Sequence, residues 1–247
     1  MTATALTTNT PTVAAAAAGP GSSTGPEIAP ATGFRRRAVG AVAIVGGVLT
    51  AAGFAATVWE ASGSKADYLA SLVSDPFRSQ LAAVLLHFGY MAFIPVLVVF
   101  AAMTRRRWRV GGTIGIGLSA IGALALPGLL VTDFYDMAMR QTLPVDMAVR
   151  ASDAAQELPL GALVGGPFIM VMFVGFLVAT VAAWRAGFAH WLMALPLVVG
   201  VALPMVFDVD PIANIVSGAC LGLFLVSVGV AALRMSDAQW VTGRRDA

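Results

Sequence analysis

Along the chain, apolar residues come in unbroken runs separated by short clusters of arginine, aspartate, proline and glycine. The runs are about 20 residues long, the length a helix needs to cross a bilayer core at about 1.5 Å per residue. They lack the alternation of apolar and polar positions that barrel strands require. The pattern predicts six transmembrane helices at approximately 38–59, 81–104, 110–132, 160–184, 191–207 and 212–233. The expected fold class is therefore all-α, a polytopic transmembrane helix bundle.

The polar segments divide the rest. Residues 1–34 are mostly Thr, Ala, Pro, Gly and Ser, with Glu27 as the only charge before Arg35. Such a composition buries too little apolar surface to offset chain entropy, so this segment is expected to be a disordered cytoplasmic tail. Residues 35–236 are expected to form the six-helix membrane domain, and 237–247 a short cytoplasmic tail. The apolar run after Arg35–Arg37 is longer than the core of a signal peptide and reads as the first span. Residues 60–80 read as a loop, and 133–159 as the longest connection. Within the latter, Asp146, Arg150, Asp153 and Glu157 share one helical face, and Val145, Ala148, Val149 and Ala155 occupy the other. That spacing predicts a short amphipathic helix on the surface.

Composition agrees with a lipid environment: 58% of residues are hydrophobic and only 11% charged. Soluble domains carry about 25% charged residues. Mean hydropathy is +0.84. Charge placement sets the expected orientation. With the N-terminus inside, Arg35, Arg36, Arg37, Arg105, Arg106, Arg107, Arg109, Arg185, Arg234, Arg244 and Arg245 are cytoplasmic, against Lys65, Arg78, Arg140 and Arg150 outside. Basic residues mark the cytoplasmic side, so both termini are expected inside, in a plasma membrane. Of the acids, Glu27, Asp237 and Asp246 fall inside and the others outside. Trp59, Trp108, Trp184, Trp191 and Trp240 lie near predicted span ends, as an interfacial belt requires. The net charge of +2 is explained by this asymmetry, and no nucleic-acid partner is expected. Cys220 is the single cysteine, so no disulfide can form within the chain.

Small residues recur at helical spacing: Ala43, Gly47, Ala51 and Ala55 in the first span, Gly111, Gly115, Ser119 and Ala123 in the third. Gly161 and Gly165, then Gly218 and Gly222, do the same in the fourth and sixth spans. In lipid such faces let helices approach closely, inside the bundle or between copies of it. Pro95, Pro127, Pro167, Pro196 and Pro204 interrupt the spans. Ala125-Leu126-Pro127 followed by Asp133 and Asp136 parallels Ala202-Leu203-Pro204 followed by Asp208 and Asp210, the pattern of a duplicated hairpin.

Several chemistries are excluded by residue type and position. Lys65 falls in a connection, so no lysine inside the bundle can form a retinal-type Schiff base. Neither a phosphate-binding Gly-Lys-Ser/Thr nor a zinc-binding His-Glu-x-x-His occurs. His87 and His190 lie at different depths, which excludes a shared haem, and Ser119 lies too deep for His87 to serve as its base. No catalytic residue, metal or cofactor is expected. What remains is a polar set near the outer face: His87 and Tyr90 three residues apart, Asp133 and Asp136 likewise, and Asp208 and Asp210 in a tight turn. An ionisable side chain within a span is costly in lipid and marks a functional site by default. These six residues are the candidates for binding a small solute, proton or cation. The expected function is a small transporter or proton- or cation-linked permease in contact with the lipid bilayer. The alternative is a non-catalytic scaffold, sensor or partner subunit.

Overall fold

The computed structural model describes residues 31–158, 166–207 and 209–245. Among them every regular element is helical: α1 (Ala31–Ala56), α2 (Lys65–Ser74), α3 (Pro76–Met91), α4 (Phe93–Thr104), α5 (Arg109–Thr142), α6 (Val145–Gln156), α7 (Gly166–Ala186), a 3-10 turn (Trp191–Met193), α8 (Ala194–Phe207), α9 (Pro211–Arg234) and α10 (Asp237–Thr242). Five stretches are long and apolar enough to cross a membrane: Thr32–Ala56, Pro76–Thr104, Arg109–Thr142, Gly166–Ala186 and Pro211–Arg234. Trp191–Phe207 is a shorter apolar helix. The chain is thus an all-α bundle of membrane-crossing helices, as the apolar runs predict.

Boundaries differ in instructive ways. The expected tail 1–34 lies outside the described residues up to 30, and Ala31–Phe34 already belong to α1. The second span is two helices. Pro95 has no N–H for the carbonyl of Met91, and the helix breaks at Ala92. The N–H of Ala92 turns back to the Gly89 carbonyl at 3.1 Å, and its methyl presses on Gly46, where a Cβ would collide with it. The third span instead runs unbroken through Pro127 for 34 residues. At about 1.5 Å per residue that is about 51 Å, well beyond a core about 30 Å thick. The excess emerges at the end carrying the aspartates, here the acidic end.

On that excess the two segments read as connections, 60–80 and 133–159, build a cap. Leu69 and Leu72 of α2, Met137 of α5 and Ala148 of α6 form a small core separate from the main one. The amphipathic helix expected in the second segment is α6, with Ala148 and Ser152 turned inward and Asp146, Arg150, Asp153 and Glu157 exposed. The start of the fourth span, with Gly161 and Gly165, lies outside the described residues.

The main core is aromatic. Phe93, Phe100, Phe176 and Phe224 are fully buried, with ring centroids 5.2 Å apart for Phe93 and Phe176 and 5.8 Å for Phe176 and Phe224. Around it the small-residue faces are spent on neighbours within the chain. A Cβ on Gly47 would strike the Gly222 carbonyl oxygen, and one on Gly222 would strike that of Gly47. Gly115 and Gly175 make the equivalent close approach between α5 and α7. Buried hydroxyls bond to backbone: Thr50 to Gly46, Thr104 to Phe100, Thr180 to Phe176, and Ser119 across to the Met172 carbonyl at 3.3 Å.

The opposite, arginine-rich end is tied together by both flanking segments. Arg36 is buried, donates to the Ala232 carbonyl at 3.2 Å and the Leu233 carbonyl at 2.8 Å, and pairs with Asp237 at 2.9 Å. It thereby supplies charged donors to carbonyls in the last turn of α9, where the Ala232 carbonyl also accepts from the Met235 N–H at 3.3 Å. Instead of a tail, 237–242 form α10, whose Trp240 is buried in the main core. Arg105 secures it by donating to the Val241 carbonyl at 2.6 Å.

Candidate functional site

The cap brings polar groups together over the bundle. Ser64 accepts from the Asp67 N–H and starts α2. Burial of Leu69 and Leu72 against α5 then turns Tyr68 toward that helix. Its hydroxyl donates to Asp133 Oδ1 at 2.9 Å and lies 3.3 Å from Asp136 Oδ2. One phenolic hydrogen thus faces two carboxylates, with the shorter contact to Asp133. Burial, then the neighbouring Asp133 and Asp136 charges, raise the pKa of Tyr68 far above the ordinary phenol value, so it remains a donor at physiological pH. Lys65 Nζ lies 4.7 Å from the centre of the Tyr68 ring, and its charge also acts on Asp133. Asp136 is buried beside Met137. Two carboxylates on one donor, with one lysine nearby, form a set able to take up a proton or a cation. The described residues bring together no group of three or more His, Cys, Asp or Glu side chains that could hold a metal.

Below the cap, a crevice of about 290 Å³ opens between the helices. Its walls include Phe54, Tyr90, Leu126, Phe173, Pro204 and Ser217. The ring of Tyr90 lies 6.2 Å from that of Phe93.

The sequence-derived candidates separate into three groups. Asp133 and Asp136 share the Tyr68 hydroxyl, and Tyr90 lines the crevice. His87 joins neither. His87 Nδ1 lies 2.9 Å from the Pro127 carbonyl oxygen; a carbonyl only accepts, so this nitrogen carries the proton. The rest of the ring borders an apolar groove of about 380 Å³ with Phe88, Leu130 and Phe134, not the crevice that Tyr90 lines. Among the described residues no ion pair joins His87 to a carboxylate. Asp210 is an N-cap: Oδ1 accepts from Ile212 N–H at 2.8 Å and Ala213 N–H at 3.0 Å, which starts α9. Asp208 lies outside the described residues.

Sequence reasoning missed Tyr68 and Lys65 as site residues because 60–80 reads as a loop. A signal was present. Ser64 followed by Asp67 is a helix-start pattern, and Tyr68, Leu69, Leu72 and Val73 follow at helical spacing. Compared with known protein families, curated proteins and solved structures, the chain matches none.

Proposed function

We propose that this chain is a small proton- or cation-linked permease whose binding site faces outward at the acidic end. The observation that carries the reading is the pair Asp133 and Asp136 on one tyrosine hydroxyl. We read this pair, with the crevice that Tyr90 lines, as the binding site of one state of an alternating-access carrier. Asp133 takes the proton or cation, Tyr68 holds the carboxylate in place, and Tyr90 lines the crevice. A second reading, a non-transporting scaffold, rests on the buried hydroxyls of Thr50, Thr104, Thr180 and Ser119, each of which bonds to backbone.

Flux measurements separate the two. The full chain is reconstituted into vesicles loaded with a pH-sensitive dye and given sodium, potassium or tetraphenylphosphonium gradients. The permease reading expects proton movement above that of protein-free vesicles with at least one gradient. It further expects loss of that movement in Asp133→Asn and a smaller loss in Tyr68→Phe. Flux no greater than in empty vesicles for all three cations would favour the scaffold.

A further inference from the structure

At the arginine-rich end a cavity of about 510 Å³ lies between the α7–α8 connection, the last turns of α9, and α10. Its lining is of two kinds. Phe188, Met193 and Val230 give an apolar wall, while His190, Arg234 and Arg245 supply hydrogen-bond donors.

These donors are not used elsewhere among the described residues. No hydrogen bond or ion pair engages the guanidinium of Arg234 or of Arg245. Arg234 would ordinarily serve the carbonyls at the end of its own helix, but Arg36 already donates to those of Ala232 and Leu233. Asp237, the acid described at this end, is paired with Arg36 as well. The Nδ1 atom of His190 accepts from the Leu192 N–H at 3.3 Å, so Nε2 is the nitrogen left to donate.

The arrangement is also held in place. Gln239 Nε2 donates to the Arg245 backbone carbonyl at 2.7 Å. The stem of Arg245 crosses Gly187, where a Cβ would sit 3.2 Å from Arg245 Cδ and where φ is +89°, a conformation suited to glycine. Trp184 and Trp191, on either side of the α7–α8 connection, are exposed, as residues of an interfacial belt would be.

We infer that this cavity binds the phosphate of an anionic phospholipid, with Arg234, Arg245 and His190 on the phosphate and the apolar wall against the glycerol and first acyl carbons. Arginine forks match phosphate oxygens, and basic pockets beside transmembrane helices suit lipid headgroups. The mixed lining favours a lipid over a free anion, which would leave Phe188, Met193 and Val230 uncovered.

The test is competitive lipid retention on the purified full chain, read by native mass spectrometry with phosphatidylglycerol and phosphatidylcholine at equal concentration. Each basic contact is worth roughly fivefold, so the wild type is expected to favour phosphatidylglycerol by at least about tenfold. Arg234→Gln and Arg245→Gln should each lower the ratio by roughly fivefold, and Arg→Lys at the same positions should keep most of it. Arg150→Gln, on the exposed face of α6 at the other end, should leave it unchanged. A measurement on the wild type alone guards against variants that do not fold: raising the salt concentration should reduce the preference. Equal retention of the two lipids by the wild type, or a ratio untouched by both glutamine variants, overturns the proposal. Displacement of phosphatidylglycerol by millimolar inorganic phosphate, with the same arginine dependence, overturns the lipid source and assigns the cavity to a soluble phosphate.

Discussion

Replacing Arg36 with methionine should loosen the whole arginine-rich end while leaving the helices in place. Methionine keeps much of the apolar stem and removes every donor. Arg36 is 6% exposed, and its guanidinium makes three contacts, to two helix-end carbonyls and to Asp237. A hydrogen bond from a charged group contributes about 1.5–3 kcal/mol when it cannot be replaced by water. The Asp237 side chain is 40% exposed, so water recovers much of that contact, and the two carbonyl bonds dominate. The expected cost is about 3 kcal/mol. Asp237→Asn keeps the carbonyl bonds and should cost less than about 1 kcal/mol. Thermal unfolding in detergent gives the ordering, and tryptophan fluorescence gives the location, because Trp240 is buried and shares α10 with Asp237. Arg36→Met should shift emission to longer wavelength before global unfolding. An Asp237→Asn variant as unstable as Arg36→Met would refute the assignment of the energy to the carbonyls, as would Arg36→Met costing under about 1 kcal/mol.

Two further outcomes follow from packing and orientation. Gly47→Ala should destabilise by about 1–3 kcal/mol, because its Cβ meets the Gly222 carbonyl, whereas Gly117→Ala, with open space around it, should stabilise by about 0.5–1 kcal/mol in the same melting assay. Similar shifts for both glycines would mean that the α1–α9 seam is looser than described. For orientation, a cysteine at Ala155 in a Cys220→Ala background should react with an impermeant thiol reagent on intact cells, and one at Arg244 should not; the reverse pattern would invert the topology. Ala155 is chosen over Ser152, which is buried against the cap.

The bundle could be read from the sequence because long apolar runs have one stable outcome in lipid, and the break at Pro95 and the surface helix α6 follow from local rules. His87 bonds to the Pro127 carbonyl and borders a separate groove for a rotational reason. His87 and Tyr90 are three residues apart and so about 60° apart around the helix axis, enough to open onto different cavities. Sequence spacing predicted a shared face without indicating that Pro127 offers His87 a carbonyl. Tyr68 escaped notice because a ten-residue helix in a polar segment has little hydrophobic signal of its own; docking on the excess length of α5 stabilises it. The C-terminal segment looked like a tail because its folding depends on two distant partners, Arg36 and Arg105.

The unequal lengths of α5 and α8 bear on the membrane itself. Counting its 3-10 turn, the segment Trp191–Phe207 spans about 27 Å, short of a hydrocarbon core of about 30 Å. Lipids on that flank must compress or the helix must draw its polar ends inward, at a fraction of a kcal/mol per Å of mismatch. That flank carries Trp191 and borders the arginine-lined cavity, so a lipid annulus thinner than on the α5 side is expected there. A wedge-shaped lipid boundary of this kind makes the chain sensitive to acyl length. It would favour short-chain or thin regions of membrane even in the absence of any ligand.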